Sequence, residues 1–299
     1  MAALSFLRPG LEPFPGYRLT HCLGSGGFGE VWAAQAGGRG VRALKFLPCD
    51  SGLSAAREIR SLQAIHQLEH PNLIRMEHIW CYQTCVVVAM ELAEGSLWDL
   101  AESYHANLGS PVVPEHACLL FCEAADALDY LNARNHWING RCVAIQHCDV
   151  KPANLLLIND SIRLADFGLA TLMATELETR QRAGTLDYAA PEMFQGHVSN
   201  HSDQYALAVS YCLIRGGRLP FPDSPHSFDA RYVRPRPDLS MLTLAERTLI
   251  VRALDPVPQN RWPNCKSLFD RISRLFCETV DPRTGKSKSG LRRVSKAIS

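Results

Sequence analysis

The residues best suited to chemistry in this chain lie in the segment HCDVKPANLLL, at positions 147–157. Asp149, Lys151 and Asn154 supply a carboxylate, a cation and a neutral amide oxygen. Proline disfavours helical geometry in the residue before it, so Pro152 argues against a regular helix through Lys151. The pattern predicts a loop that presents a general base, a positive charge and an oxygen ligand for a hard metal ion.

A second acidic residue follows twelve positions after Asn154, in the triplet Asp166-Phe167-Gly168. The strand-like run SIRLA precedes Asp166, and Gly168 frees the backbone for a sharp turn. Asn154 and Asp166 together offer two oxygen ligands, an arrangement that suits Mg²⁺ beside phosphate groups. We therefore expect a magnesium site formed by these two residues.

A glycine-rich stretch, GSGGFGEV, begins at Gly24 and lies between two strand-like runs. In dinucleotide-binding folds a helix follows the third glycine, but here the strand-like residues 31–33 follow Gly29. The stretch is therefore predicted to be a strand–loop–strand hairpin whose backbone N–H groups cover a row of phosphates. Phe28 at the tip of the loop would shield the phosphates from water.

Lys45 lies on the next strand-like run, VRALKF. A lone lysine on a strand usually faces solvent, but Glu58 on the following helix favours another interpretation. Glu58 precedes the apolar Leu62 by four residues, which points it near the core side of that helix, where a carboxylate needs a partner. A Lys45–Glu58 ion pair would hold the ammonium group against phosphate oxygens.

Taken in order, these motifs resemble those of the eukaryotic-type (Hanks-type) serine/threonine protein kinases found in bacteria. The resemblance extends over about residues 17–275 and includes the triplet APE at 190–192, Asp203 at the start of a late helix, and Arg261. It implies that Glu192 and Arg261 form a buried structural pair. It also implies that Asp203 holds the backbone of the catalytic loop.

The resemblance implies an α+β, bilobal protein-kinase fold, in which a small β-rich N-lobe with one main helix precedes a larger, mostly helical C-lobe. The catalytic domain would cover residues 17–278, with the N-lobe at about 17–92 and the C-lobe at about 96–278. Residues 1–16 would form an N-terminal extension, and residues 279–299 a basic, flexible tail or linker.

The resemblance also implies a role for each motif residue. Asp149 would accept the proton of the substrate hydroxyl, and Lys151 would neutralise the transferring phosphoryl group. Lys45, paired with Glu58, would contact the α- and β-phosphates of ATP. The implied nucleotide contacts are Leu23, Gly24, Gly26, Phe28, Gly29, Val31, Ala43, Lys45, Met90, Glu91, Ala93 and Leu156.

Lys151 and Thr185, in GTLDYAAPE, form the serine/threonine rather than the tyrosine pattern of that family. The resemblance therefore implies an ATP-dependent kinase of protein serine or threonine hydroxyls, with Mg²⁺, or alternatively Mn²⁺, held by Asn154 and Asp166. An ATP-binding pseudokinase or scaffold that acts through protein contacts is the alternative, and the intact set of catalytic residues disfavours it. Protein substrates are the expected partners, with self-association for autophosphorylation.

One residue departs from the family pattern, because the arginine usual before the catalytic aspartate is Cys148 here. In the family that arginine binds a phosphate on the activation segment, and a cysteine lacks the paired, charged donors for this. We therefore expect kinase activity to depend little on phosphorylation of the activation segment, at Thr171, Thr175 or Thr179.

Apolar patterns predict the elements that hold these residues. Strands are expected in YRLTHCLG, EVWAAQA and VRALKFL, around the glycine loop and Lys45, and in CVVVAME at residues 85–91. The stretch 132–146 is longer than is usual in the family, and Asn139-Gly140 at its centre predicts an inserted hairpin. A helix is predicted to begin at Ser54, and further helices are predicted at 115–134, 202–215, 241–254 and 265–277.

Composition narrows the classes of function. The chain has 299 residues, 46% of them hydrophobic, and a net charge of +1 from 31 Lys and Arg against 30 Asp and Glu. These values indicate a folded chain and give no argument for a nucleic-acid partner. No apolar run reaches the ~18–20 residues of a membrane-spanning helix. We expect a cytoplasmic protein, or the cytoplasmic part of a longer, membrane-anchored one.

The 11 cysteines include no CxxC pair, so free and mostly buried thiols are expected rather than a zinc site.

Overall fold

The structure, a computed structural model, describes residues 4–26, 29–49, 62–63, 65–138, 140–173, 177–179, 184–223, 225 and 227–277. The chain divides into two compact units, Met1–Glu94 and Gly95–Ser299. The first is rich in strands and the second is mostly helical, as the sequence predicts.

A five-stranded antiparallel sheet forms the N-terminal unit. Its strands are β1 (Arg18–Gly26), β2 (Gly29–Gln35), β3 (Val41–Pro48), β4 (Met76–Tyr82) and β5 (Cys85–Glu91), in the order β1-β2-β3-β5-β4. The sequence predicts β1, β2, β3 and β5. It misses the edge strand β4, in which only Met76 is buried, so that no alternating pattern marks it.

The core of this unit lies against β1, β2, β3 and β5. Alternate residues of β3 and β5 point into it, among them Phe46 and Val87. Residues before β1 join the same cluster through Leu7, so the predicted extension contributes to the core. The helix predicted from Ser54 lies mostly outside the described residues, and so does Glu58.

The described part of the C-terminal unit contains six α-helices. They are α1 (Leu97–Leu108), α2 (Pro114–Asn132), α3 (Pro191–Phe194), α4 (Ser202–Gly216), α5 (Leu244–Ala253) and α6 (Cys265–Cys277). The predictions for α2, α4 and α6 are confirmed to within two residues. Helix α5 begins three residues later than predicted, because Thr243 and Glu246 form a capping box at its start.

Aromatic packing joins three of these helices into one core. The ring of Phe121 on α2 lies 5.3 Å from that of Tyr211 on α4 and 5.4 Å from that of Phe269 on α6. Asp129 of α2 also accepts the N–H groups of Cys265 and Lys266, both at 2.8 Å. These bonds satisfy donors that the first turn of α6 would otherwise leave open.

Short strands frame the loop 147–154. One sheet contains β6 (Gly95–Ser96), β9 (Leu155–Ile158) and β10 (Ser161–Leu164). A second sheet contains β7 (His136–Ile138), β8 (Arg141–Gln146) and β11 (Thr171–Met173). A third contains β12 (Leu177–Thr179) and β13 (His197–Ser199). The predicted hairpin is confirmed by the antiparallel pairing of β7 with β8, although Asn139 itself lies outside the described residues. The loop therefore starts from one small sheet and ends in another.

Two expectations from composition can be compared with the described residues. Of ten described cysteines, all free, five are buried, so the prediction of mostly buried thiols holds for half of them. Within the described ranges, every helix is too short or too polar to cross a lipid bilayer.

A buried ion pair joins distant parts of the C-terminal unit. Arg261, 2% exposed, donates to both carboxylate oxygens of Glu192, at 2.9 and 2.7 Å. The hydroxyls of Ser199 and Ser202 each donate to the same carboxylate at 2.8 Å. Burial alone would raise the pKa of Glu192, but the hydrogen bonds and charge of Arg261 hold that pKa below its usual 4.5. The predicted pair is confirmed.

Replacing Arg261 with alanine is expected to lower the free energy of unfolding by about 3–5 kcal/mol, because the Glu192 carboxylate would stay buried without its cation. Chemical denaturation of the full chain measures this change. Arg231→Ala, which truncates a side chain that is 91% exposed, is the control and should leave the unfolding midpoint unchanged. A loss below about 1 kcal/mol at pH 7 would contradict the account.

The same pair predicts a pH dependence. The pKa of Glu192 is lower in the folded state, so the unfolded state binds the proton more readily and stability rises with pH. The contribution is therefore complete above about pH 4.5 and decreases as the pH falls through the folded pKa. Denaturation between pH 7 and pH 3 should show the difference between the wild type and Arg261→Ala narrowing at the acid end.

Candidate active site

Asp149 lies in the loop between β8 and β9, buried and surrounded by donors. Its Oδ1 accepts hydrogen bonds from the N–H of Thr185 at 3.0 Å and from the Thr185 hydroxyl at 2.8 Å. Its Oδ2 accepts from Nζ of Lys151 at 2.8 Å and from Nδ2 of Asn154 at 3.0 Å. A carboxylate has about four lone-pair sites, so four donors fix its orientation. The structure brings Asp149, Lys151 and Asn154 together as predicted, and adds Thr185.

Asp203, on the first turn of α4, holds the backbone of this loop. Its Oδ2 accepts the N–H of His147 at 2.6 Å, and its Oδ1 accepts the N–H of Cys148 at 2.8 Å. Cys148 has a φ of 66°, in the left-handed region that a non-glycine residue enters at a cost of about 1–3 kcal/mol. Hydrogen bonds to a charged acceptor offset this cost. The predicted role of Asp203 agrees with this geometry.

His147 links the loop to the chain ahead of Asp166. Its Nε2 lies 2.9 Å from the carbonyl oxygen of Ala165, and its Nδ1 lies 3.3 Å from the N–H of Asp149, which assigns the ring proton to Nε2. The ring packs edge-on against Phe167 at 5.1 Å. Sequence reasoning misses this residue, and its spacing of two residues from Asp149 is the signal that could have found it.

Asn154 and Asp166 are the predicted metal ligands. Nδ2 of Asn154 donates to both the carbonyl and the Oδ2 of Asp149, at 2.8 and 3.0 Å, so Oδ1 is the amide atom that faces elsewhere. Asp166 has a φ of 69°, a left-handed conformation that aspartate adopts more readily than most residues. The described residues contain no cluster of three or more His, Cys, Asp or Glu. One amide and one carboxylate oxygen fit an ion that also binds phosphates and water, as Mg²⁺ does.

The segment 184–190 contacts Asp149 through Thr185. Gly184 precedes it with a φ of 118°, and a Cβ there would lie 2.9 Å from the carbonyl oxygen of Cys148. Glycine is therefore required for this close approach. Sequence reasoning misses this requirement, although Gly184 directly precedes Thr185 in the motif.

Tyr188 closes a turn within this segment. Its N–H donates to the carbonyl oxygen of Thr185 at 3.1 Å. Burial, together with the nearby carboxylates of Asp187 and Asp149, raises the pKa of the Tyr188 hydroxyl to about 12. The hydroxyl therefore stays neutral at physiological pH.

The thiol of Cys148, the residue before Asp149, is buried against the backbone and β11. Its Sγ lies 3.4 Å from the carbonyl oxygen of Gln146 and 3.7 Å from the hydroxyl of Thr171, the first residue of β11. Thr175 and the side chain of Thr179 lie outside the described part of the chain.

In the N-terminal unit, the predicted glycine hairpin is confirmed by the pairing of Gly26 with Gly29 between β1 and β2. Gly29 has a φ of 125°, and a Cβ there would overlap the carbonyl oxygen of Phe46. At Gly24, as at Gly26, a Cβ would have no neighbour within 4 Å, so the fold itself does not require glycine there. Phe28, at the predicted tip, lies outside the described residues.

Lys45 lies on β3, where its neighbours across the sheet are Val31 of β2 and Val88 of β5. Ala43, two residues earlier on β3, is buried, and Val31 is half-buried. Because Glu58 lies outside the described residues, the Lys45–Glu58 pair stays a prediction.

At the end of β5, one of the predicted adenine contacts, Glu91, forms hydrogen bonds within the protein. The N–H of Glu91 donates to the carbonyl oxygen of Arg75 at 3.1 Å, and its carboxylate accepts the N–H of Arg75 at 2.9 Å. A backbone contact from Glu91 to a nucleotide would therefore use its carbonyl oxygen. Met90 is buried, Ala93 is half-buried, and Leu23 is exposed. In the other unit, Leu156 is half-buried.

The chain is similar to known proteins over most of its length. The protein kinase domain model matches residues 17–285. The chain is similar to CBL-interacting protein kinase 4 of Oryza sativa subsp. japonica, with 33% identity over 270 residues that cover 84% of this chain and 56% of that protein. It is similar to the serine/threonine-protein kinase PknF of Mycobacterium tuberculosis, with 30% identity over 292 residues, 90% of this chain and 58% of that protein. The chain thus spans a little over half the length of these curated relatives.

Among solved structures, the chain is similar to the kinase domain of PknI from Mycobacterium tuberculosis. The TM-score is 0.65 with 27% sequence identity, and the match covers 90% of this chain and 98% of that one.

Proposed function

Because this chain belongs to the protein kinase domain family, we propose that it transfers the γ-phosphoryl group of ATP to a serine or threonine hydroxyl of a protein. The chain has the two-lobed α+β fold of that family. The observation that carries the proposal is the hydrogen-bond set of Asp149, which Lys151, Asn154 and Thr185 hold in one orientation. The proposed catalytic domain covers residues 17–278.

Asp149 is the proposed base. All four of its lone-pair positions accept a hydrogen bond, so an incoming hydroxyl must replace one donor. The Thr185 hydroxyl is the donor best able to yield, because it also accepts a bond from Lys151 at 2.7 Å and keeps that partner. Asp149 would then orient the acceptor hydroxyl and take its proton as the oxygen–phosphorus bond forms.

Lys151 supplies positive charge at the same place. Its ammonium group donates to Oδ2 of Asp149 at 2.8 Å and to the Thr185 hydroxyl at 2.7 Å. A cation fixed there offsets negative charge on the phosphoryl group as it transfers. Serine and threonine are the proposed acceptors because Lys151 and Thr185 form the pattern of that branch of the family.

Asn154 and Asp166 are proposed to hold Mg²⁺, or Mn²⁺ in its place. When bound, such an ion neutralises the charge of the phosphate oxygens. Asp149 accepts the two hydrogen bonds that the side-chain amide of Asn154 donates, so the proposed base also orients the amide ligand.

The nucleotide is proposed to bind through the glycine hairpin, with Lys45 and Glu58 at its phosphates. Gly24 and Gly26 support this, because no described residue lies close enough to explain glycine there, whereas a close approach of backbone to phosphate would explain it. Val31, Ala43 and Leu156 are proposed to enclose the adenine. Leu23, Phe28, Gly29, Met90, Glu91 and Ala93 complete the proposed contacts.

The proposed location is the cytoplasm, where ATP is available and thiols stay reduced. All ten described cysteines are free, which suits such a compartment. Members of this family act on proteins, and a second copy of the chain is one proposed substrate, through autophosphorylation.

Replacing Asp149 with asparagine is expected to lower the rate of phosphate transfer by about 100- to 10,000-fold, because the base is lost while the shape of the side chain is kept. Transfer from labelled ATP and Mg²⁺ to a serine/threonine peptide library, with mass-spectrometric identification of the sites, measures the rate. Asp126→Asn, at a half-buried aspartate on α2 whose side chain is 43% exposed, is the matched control and should retain full activity. A wild type that binds ATP yet transfers no phosphate would reject the kinase and favour the pseudokinase alternative.

We further propose that, because of Cys148, activity depends little on phosphorylation of the activation segment. Replacing Thr171, Thr175 and Thr179 together with alanine should leave the transfer rate within about twofold of the wild type, because Cys148 has no guanidinium group to bind a phosphate. Phosphatase treatment of the wild-type protein should have equally little effect. Complete loss of activity in the triple variant would refute the proposal.

A further inference from the structure

The chain between α4 and α5, residues 217–243, contains no helix or strand among its described positions. Within it, Tyr232 and Arg234 are half-buried, and Val233 between them is 83% exposed. Pro235 disfavours helical geometry at Arg234, so the two inward side chains lie on the same side of a non-helical stretch.

Arg234 binds the backbone of the segment 184–190. Its Nη2 donates to the carbonyl oxygens of Leu186, of Asp187 at 3.0 Å and of Ala189 at 2.9 Å. Its Nε also donates to the carbonyl oxygen of Ala189, at 3.3 Å. A planar guanidinium group presents five donors in a rigid fork, so one arginine side chain binds several carbonyl oxygens in a fixed geometry.

Three aromatic rings surround the same guanidinium group. Its Cζ lies 4.7 Å from the ring centre of Phe221, 5.4 Å from that of Phe194 and 5.9 Å from that of Tyr232. The rings of Phe194 and Tyr232 also pack against each other at 4.8 Å. Cation–π contacts of this kind restrict the arginine side chain before any peptide arrives.

The segment that Arg234 binds is also the one that contacts the base. Thr185, the residue before Leu186, donates two hydrogen bonds to Asp149. Fixing residues 186–189 therefore fixes the backbone next to the catalytic carboxylate, along which a protein substrate must lie to present its hydroxyl.

We propose that Arg234 is a positioning residue for the protein substrate, which keeps the segment 184–190 in the shape that receives the acceptor peptide. This inference rests on the proposed kinase function and deepens it. Arg234 acts through the segment and not on ATP, so its removal raises the KM for the peptide and leaves the KM for ATP unchanged.

The kinetic test uses Arg234→Lys and Arg234→Ala, with Arg231→Ala as the matched control three residues away. The lysine variant keeps the charge but loses the fork of donors. Its KM for a library peptide that the wild type phosphorylates should rise about tenfold or more. The KM for ATP and the slow hydrolysis of ATP by water should match the wild type, as should every parameter of Arg231→Ala. An equal rise in the KM for ATP would mean a general structural defect and would overturn the proposal.

Amide hydrogen exchange on the full chain provides a second readout that does not need activity. The N–H groups of Thr185, Tyr188 and Ala189 are hydrogen-bonded and should exchange slowly in the wild type. They should exchange faster in Arg234→Lys, while the melting temperature and the exchange of α4 stay unchanged. Unchanged exchange of these three amides would overturn the proposal even if the wild type proved to transfer no phosphate, a result that would reject the kinase function separately.

Discussion

The buried carboxylate of Asp203 is the interaction on which the rest of the active site depends. It accepts the N–H groups of His147 and Cys148, which would otherwise be buried donors without a partner, and it holds Cys148 at a positive φ. Because nearly all of α4 is buried, the carboxylate is fixed to the core of the C-terminal unit. This constraint fixes the backbone directly before Asp149 and therefore the direction in which the Asp149 side chain points from the loop.

A second set of anchors holds the segment on the other side of Asp149. The hydroxyl and N–H of Thr185 attach the segment 184–190 to Asp149. Glu192, two residues beyond the end of that segment, attaches the following chain to Arg261. Arg234 binds the carbonyls between these two points. Asp149 and the segment 184–190 are thus held by separate parts of the core, which meet at the Asp149–Thr185 hydrogen bonds. This explains how two loops can keep a defined geometry.

Much of the fold and of the candidate site was predictable from local sequence patterns. Short β-type and apolar runs marked four of the five strands of the N-terminal sheet, and the spacing of Asp149, Lys151 and Asn154 marked the loop. The residues that hold the loop and the segment 184–190 in place were less predictable. Asp203 and Glu192 were expected only through a family resemblance, and Arg234 had no signal at all, because its acceptors lie 45–48 residues away and are backbone atoms that every residue carries. The edge strand β4 was not predicted for a related reason: its position depends on pairing with β5 and not on an apolar pattern in its own sequence.

The rate of phosphate transfer by an Asp203→Asn variant tests the central claim most directly. One acceptor for a buried N–H would become a second donor, so the loop would lose its fixed geometry without losing any residue that touches substrate. The account predicts that kcat for a serine or threonine peptide falls by about tenfold to a hundredfold in a variant that remains folded by circular dichroism, with little change in the KM for ATP. A folded variant with the kcat of the wild type would contradict it.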